Sequence, residues 1–273
     1  MTASGTTVGR TRSRGRPRPP RRTGRISVSS DSCVTYRSWA IRVGVPRRDA
    51  DAVRDRSRSR SVGGFRMSTP VNVAVIYYSS TGTIARIARA IAEDAERAGA
   101  RVRLRRAAEL APQAAIESNP AWAENVRATA DIPEVSPDDM VWADAVVFGS
   151  PTRYGNVAAQ LKQFIDTLGG LWQSGQLADK VYSGFTASST AHGGQESTLL
   201  ALYNTVHHFG GILVAPGYTD PSKFVDGNPY GTSHVSGQGD IPVGEQTLTA
   251  ARVQAERVVR ITRALKAGLG SAD

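Results

Sequence analysis

Residues Ser79-Ser80-Thr81-Gly82-Thr83 set four side-chain hydroxyls and one glycine between an apolar run, Val71 to Tyr78, and a helical pattern that opens at Ile84. A strand that feeds such a turn and then a helix start makes a seat for a phosphate group. The hydroxyls and free backbone N–H groups donate to the anion, and the positive end of the helix dipole faces it. The turn holds neither Lys nor Arg, which suits a single terminal phosphomonoester. The same residues also suit a plain helix start capped by its own hydroxyl. Two common nucleotide loops are excluded here: G-x-G-x-x-G needs three glycines where only Gly82 stands, and G-x-x-x-x-G-K-[ST] is absent.

Two more polar loops follow apolar runs in the same way. Gly149 to Asn156 (GSPTRYGN) succeeds Ala145–Phe148, and Ser188 to Gly194 (SSTAHGG) succeeds Val181–Ala187. Several side chains in or near them could do chemistry, and each has a plainer reading. Arg153 can be a surface residue of a turn. Trp172, behind Gly169-Gly170, can be core packing. His208 can be the favourable positive charge at its helix C-terminus. His192 fits equally as a spacer or as a ligand neighbour, and Asp166 fits best as a solvated helix residue. There is no Ser-His-Asp order, metal-ligand spacing or paired-carboxylate motif. The single cysteine, Cys33, excludes a disulfide within the chain and a cysteine metal cluster, which fits a reducing cytoplasm.

The elements that must position these loops alternate strand and helix. Val71–Tyr78 is an unbroken buried strand, and Ile84–Ala98 is a helix with Ile84, Ile87, Ala88 and Ile91 on one face, stopped by Gly99. Arg101–Arg105 alternates, with Val102 and Leu104 against three arginines, as a half-exposed strand should. Residues 107–140, rich in Pro, Ala and acid, read as an irregular insert with at most a helical turn. Strand Ala145–Phe148, helix Val157–Leu168, strand Val181–Ala187, helix Gln195–Phe209 and strand Ile212–Val214 follow. A loop of about 217–243 precedes an amphipathic helix near Glu245–Ala267; its length suits a cover over a site or an interface. This alternation predicts a doubly wound parallel sheet, in which ligands bind outside the carboxyl ends of the strands. All three polar loops fall on that edge.

Charge is concentrated at one end. Residues 1–66 hold 17 Arg, no Lys and four acids, a net of +13, so residues 67–273 carry −3. The basic balance of the chain therefore says nothing about the partners of residues 67–273. The Arg/Ser/Pro-rich extension 1–66 repels itself and has little apolar surface, which predicts disorder. It matches a transit peptide only in part, since residues 31–66 carry acids, and Arg21-Arg22 lacks the apolar stretch of an export signal. A nucleic-acid arm of sequence-independent kind is chemically open to it. The favoured reading is that translation starts at Met67, four residues before the first strand. No apolar run approaches the ~20 residues of a membrane span.

The motifs carry a family resemblance. Ser79 to Thr83 resembles the FMN phosphate loop of flavodoxin-like proteins. Phe148-Gly149-Ser150-Pro151-Thr152-Arg153-Tyr154-Gly155-Asn156 is similar to the flavin-ring loop of WrbA-type NAD(P)H:quinone oxidoreductases. Gly169-Gly170-Leu171-Trp172, Ser189-Thr190-Ala191-His192-Gly193-Gly194-Gln195-Glu196, His207-His208 and Asn228-Pro229-Tyr230-Gly231 then come in that family's order. The similarity runs from about residue 71 to the C-terminus.

The resemblance implies a flavodoxin-like fold, five parallel strands in the order 2-1-3-4-5. It implies FMN held through its phosphate by Ser79, Ser80, Thr81, Gly82, Thr83 and Ile84, with Thr152, Arg153, Tyr154 and Gly155 along the ring. Ser189, Thr190, Ala191, His192, Gly193 and Gly194 would wrap its other side. Trp172 would border the substrate cavity, with His208 lent beside the flavin by a neighbouring subunit. One departure is Thr81, at a loop position often aromatic in the family and linked there to nicotinamide binding. The implied activity is two-electron, ping-pong reduction of quinones by NADH or NADPH through flavin N5, in a cytoplasmic homo-oligomer, a dimer or tetramer. Two other classes compete. An electron-carrier flavodoxin is disfavoured by the mild charge and the long 217–243 loop, and a nucleic-acid-associated regulator would rest on the extension alone.

Overall fold

The computed structural model describes residues 70–269. The readings of residues 1–66, of Cys33 and of a start at Met67 lie outside the described residues. Strand β1 (Val71–Tyr77) sits between β2 (Ala100–Arg106) and β3 (Ala145–Pro151), followed outward by β4 (Val181–Ser188) and β5 (Ile212–Leu213), all parallel. The predicted order 2-1-3-4-5 is the observed one. The fifth position, however, is shared. β5 pairs only with Val181 and Tyr182, while β6 (Thr232–Val235), also parallel, takes up the same strand from Phe185 to Ser188. The sheet thus has six strands rather than five.

β1 reads as a continuous apolar run because both its faces are covered, as in parallel sheets generally. Val71, Val73, Val75 and Tyr77 point to one side, against α1 (Thr83–Arg97) and α9 (Glu245–Leu269). Ala74, Ile76 and Tyr78 point to the other, where α4 (Pro137–Trp142), α5 (Ala159–Asp166) and α7 (Gln195–Phe209) pack. On β2 the alternation is weaker than predicted. Arg103 and Arg105 are partly covered by α4, where both guanidinium groups donate to the buried Asp139 carboxylate, and Arg103 lies 4.2 Å over the Trp142 ring.

Two predicted irregular segments are ordered. Residues 107–140 carry α2 (Gln113–Glu117), α3 (Pro120–Ala128) and α4. The last two begin at Asn-Pro and Ser-Pro pairs that start helices by known chemistry. The Asn119 side chain accepts from Ala121 N and Trp122 N, Ser136 N donates to Asp139 Oδ2 at 3.1 Å, and each Pro sits at the first helical position. The loop 217–243 contains α8 (Ser222–Asp226) and β6, and Trp172 lies in a short helix, α6 (Gly169–Gln173).

Gln254 of α9, fully buried, joins the two halves of the divided edge. Its Oε1 accepts from Thr232 N at 2.7 Å, and its Nε2 donates to Ser183 Oγ at 2.8 Å and to the Gly184 carbonyl at 2.7 Å. Gln254→Leu strands the buried Thr232 N–H, and the expected loss is about 3 kcal/mol. Urea denaturation checks it: the midpoint should fall while the slope stays as in the parent.

Candidate functional site

The turn after β1 and the start of α1 enclose a small polar cavity of about 130 Å³ with Ser79, Ser80, Thr81, Thr83 and Ile84 on its wall. The far wall comes from Thr152, Arg153, Ser188, Ser189 and Ser236, so the ends of β1, β3, β4 and β6 meet there. α1 begins without a side-chain cap and without an acid in its first turn. Its first N–H groups have no partner inside the helix, and the dipole puts positive potential at that end. Gly82 makes the turn at φ 96°, a conformation that costs glycine nothing, and its N–H donates to Ser79 Oγ at 3.2 Å. The hydroxyls of Ser79, Ser80, Thr81 and Thr83 on this wall donate to no protein group among the described residues and can serve an anion. Arg153 adds one cation: its guanidinium reaches from the second loop to donate to Ser80 Oγ at 3.3 Å.

The second and third loops form one shelf. Thr152 N donates to the Ala187 carbonyl at 2.9 Å, and Thr198 Oγ1 donates to Thr152 Oγ1 at 2.8 Å. The two backbones come so close that a Cβ on Gly194 would stand 2.9 Å from Gly155 Cα. Gly193 packs on the Ser188 side chain. Thr190, Ala191 and His192 are exposed along the rim, and only Ser189 of that loop reaches the cavity wall. Tyr154, at φ 54°, stands fully in solvent at the tip of its loop. Left-handed backbone is uncommon for a tyrosine, and it turns the ring away from its own chain's core.

Trp172 and His208 are brought together, but elsewhere. Trp172 Nε1 donates to the His208 carbonyl at 2.8 Å, and both line a separate pocket of about 320 Å³ with Gly169 and Phe209. His208 is at the far end of α7, about 20 Å along the helix from Gln195, so it faces the amino edge of the sheet. Within one chain these two residues do not join the cavity at Ser79–Ile84.

Three residues to which no role was assigned hold the loops in place, and only Gln195 of them stands within one of the motifs. Asn125 of α3 donates from Nδ2 to the Ser79 carbonyl at 2.8 Å. Gln195 opens α7 and donates from Nε2 to Ser188 Oγ at 2.9 Å and to the His234 carbonyl at 3.0 Å, tying the third loop to β6. Glu109, just past β2, takes five donors: Tyr78 Oη and Trp122 Nε1 on one oxygen, Gln160 Nε2 and the N–H groups of Leu110 and Ala111 on the other. Burial alone would raise the Glu109 pKa, but the bonds from Ala111, Gln160, Trp122 and Tyr78 outweigh it and hold it below the ordinary value. Burial and the neighbouring Glu109 charge push the Tyr78 phenol up, so it stays a donor. A larger cavity, about 780 Å³, lies behind the turn between α1, α3 and α9. Its rim mixes Arg86, Arg89 and Arg252 with Glu93, Glu124 and Glu245, which gives it no preference for an anion.

A parallel sheet of this order, with an uncapped helix start at a small polar cavity after β1 and a two-loop shelf after β3 and β4, is the arrangement of a flavodoxin-like mononucleotide-binding protein. The comparisons narrow this. Residues 71–220 match the family profile described as NADPH-dependent FMN reductase. A protein named NAD(P)H dehydrogenase (quinone) from Deinococcus radiodurans is 47% identical over 200 residues, covering 73% of this chain and 99% of that protein. One of the same name from Geotalea uraniireducens is 41% identical over 202 residues, covering 71% and 99%. Among solved structures, the flavodoxin, WrbA-like protein from Agrobacterium tumefaciens superposes with a TM-score of 0.50 at 26% identity, covering 71% of this chain and 98% of that one. The chain belongs to the WrbA-type NAD(P)H dehydrogenase (quinone) family, within the NADPH-dependent FMN reductases.

The Glu109 hub sets an acid limit on the site. Its native pKa is depressed, so its contribution to stability is complete above the unfolded value of about 4.3 and is lost as pH falls through the lower native value. Glu109→Gln is expected to be less stable at neutral pH and to show a flatter decline of Tm on acidification below about pH 5. Tm measured against pH for both proteins checks this, and parallel profiles would contradict it.

Proposed function

We propose that this protein is an FMN-dependent NAD(P)H:quinone oxidoreductase, reducing quinones to hydroquinones by two electrons, with the two substrates using one place in turn. The observation that carries this is the uncapped start of α1 against a small cavity at the meeting of four strand ends. Family membership and the relatives' name support it. The hydroxyls of Ser79, Ser80, Thr81 and Thr83 and the N–H groups of Thr83 and Ile84 hold the FMN phosphate, and Arg153 closes over it. The shelf of Thr152, Arg153, Tyr154 and Gly155 against Ser189–Gly194 carries the ring. FMN held there would supply the hydride chemistry, through its N5, that links NADH or NADPH to the quinone. Backbone donors at these two loops would offset negative charge on a ring held there.

His208 and Trp172 enter from a second copy of the chain. The support is their distance from the seat in their own chain, and the exposure of Trp172 (54%) and of Tyr154. Trp172 offers a flat wall for planar substrates, and His208 can hand a proton to the quinone oxygen. This requires a homo-oligomer, a dimer or tetramer, and the setting we propose is the cytoplasm. No helix among the described residues is long and apolar enough to cross a membrane.

Steady-state kinetics test the shared place. Varying NADH or NADPH against benzoquinone should give parallel double-reciprocal lines without any partner reductase. Intersecting lines would refute alternation at one place, and no turnover without a partner reductase would mark an electron carrier. Mixing subunits tests the second copy. His208→Ala chains and Ser80→Asp chains, each impaired alone, should regain activity when co-assembled, because one supplies an intact seat and the other an intact His208. No recovery at any mixing ratio would rule that sharing out.

A further inference from the structure

We propose that Asn125 is a positioning residue for the phosphate seat: it fixes the Ser79–Ser80 peptide so that the Ser80 N–H, and not the Ser79 carbonyl, faces the anion. The inference rests on the reading of Ser79–Ile84 as that seat. A trans peptide directs its C=O and N–H to opposite sides. The Asn125 amide, 8% exposed, holds the Ser79 carbonyl at 2.8 Å on the α3 side of the turn. The Ser80 N–H therefore points the other way, toward the cavity its residue lines, and it donates to no group among the described residues. A peptide at the mouth of a turn, with no such hold, can rotate and set a carbonyl dipole against a phosphate. One side-chain amide thus decides the sign of the potential at that point of the wall.

The fastening of α3 fits this duty. Trp122 lies one helical turn before Asn125 and ties its indole N–H to Glu109 Oε2 at 2.9 Å. Arg89 of α1 donates to the Ala128 carbonyl at the other end of α3 at 3.1 Å. Glu109 also takes the hydroxyl of Tyr78, the residue before Ser79. The helix is thus pinned at both ends to the two elements that flank the turn, with Asn125 between the pins. The insert 107–140 is in this view a brace for phosphate recognition, and it governs how far the protein prefers FMN over the same flavin without phosphate.

Protein stripped of flavin and titrated with FMN and with riboflavin, followed by flavin fluorescence, tests the proposal. The parent should bind FMN far more tightly than riboflavin; if it does not, the seat itself is misplaced, whatever Asn125 does. Given that preference, Asn125→Ala should weaken FMN about tenfold, a hydrogen bond's worth, and leave riboflavin within about twofold. Asn125→Asp, which sets a carboxylate against the Ser79 carbonyl, should lose more. Trp122→Phe keeps the ring but drops the N–H to Glu109, and should weaken FMN by about two- to threefold with riboflavin again unmoved; it carries the test should the Asn125 variants not fold. Unchanged FMN affinity in Asn125→Ala, or equal losses for FMN and riboflavin, would overturn the proposal.

Discussion

The unpaired N–H groups at the start of α1 constrain everything around them. A helix start with neither a side-chain cap nor an acid must find its acceptors elsewhere. Here it lies against a cavity whose walls are hydroxyls, backbone donors and a guanidinium. No carboxylate stands on that wall to compete. β1 is flanked on both sides in the sheet, so the turn that follows it can shift little without disturbing the two pairings that hold it. Rigidity of the strand and openness of the helix start together support the proposed seat.

The rest of the carboxyl edge is built to keep that seat fixed. β5 is too short to cover β4 along its length, and β6 completes the pairing exactly where the third loop departs. Ser236 N donates to the Ser188 carbonyl and Gln195 bridges Ser188 Oγ to the His234 carbonyl, so the loop is tied to β6 at its base. On the other flank, α3 and the Glu109 carboxylate play the same part for the turn after β1. Buried polar links of this kind contribute modestly when made and cost much when broken, which is why they specify position more than they add stability.

What was legible in the sequence follows from which signals are local. Continuous apolar runs and the 3.6-residue repeat of Ile84, Ile87, Ala88 and Ile91 placed the strands and the long helices, and the Gly/Ser/Thr runs at strand ends placed the edge that matters. The short helices α2, α3, α4 and α8 escaped because each has fewer than three turns and draws its order from tertiary contacts. Their caps at Asn119-Pro120 and Ser136-Pro137 were the available cue. β6 escaped because Thr232–Val235 is a polar strand whose partners lie on β4 and whose backbone is satisfied by Gln254. Asn125, Glu109 and Gln195 act through side-chain hydrogen bonds that reach other segments of the chain, and no spacing rule announces such bonds.

The separation of Trp172 and His208 from the seat is also fixed by the fold. α7 is a straight run from Gln195 to Phe209, packed on β4 through Leu199, Leu202, Tyr203 and Val206. Its first residue is locked at the carboxyl edge by Ser188, and its end turns through Gly210 into β5 at the amino edge. Bringing His208 to its own chain's cavity would mean dismantling that cluster, a cost of the order of the whole fold's stability of about 5–15 kcal/mol. A loop closure cannot span this, because no hinge in α7 lies between the two ends. If His208 and Trp172 serve the proposed flavin ring, they do so from another chain, and Trp172 is exposed at the amino edge.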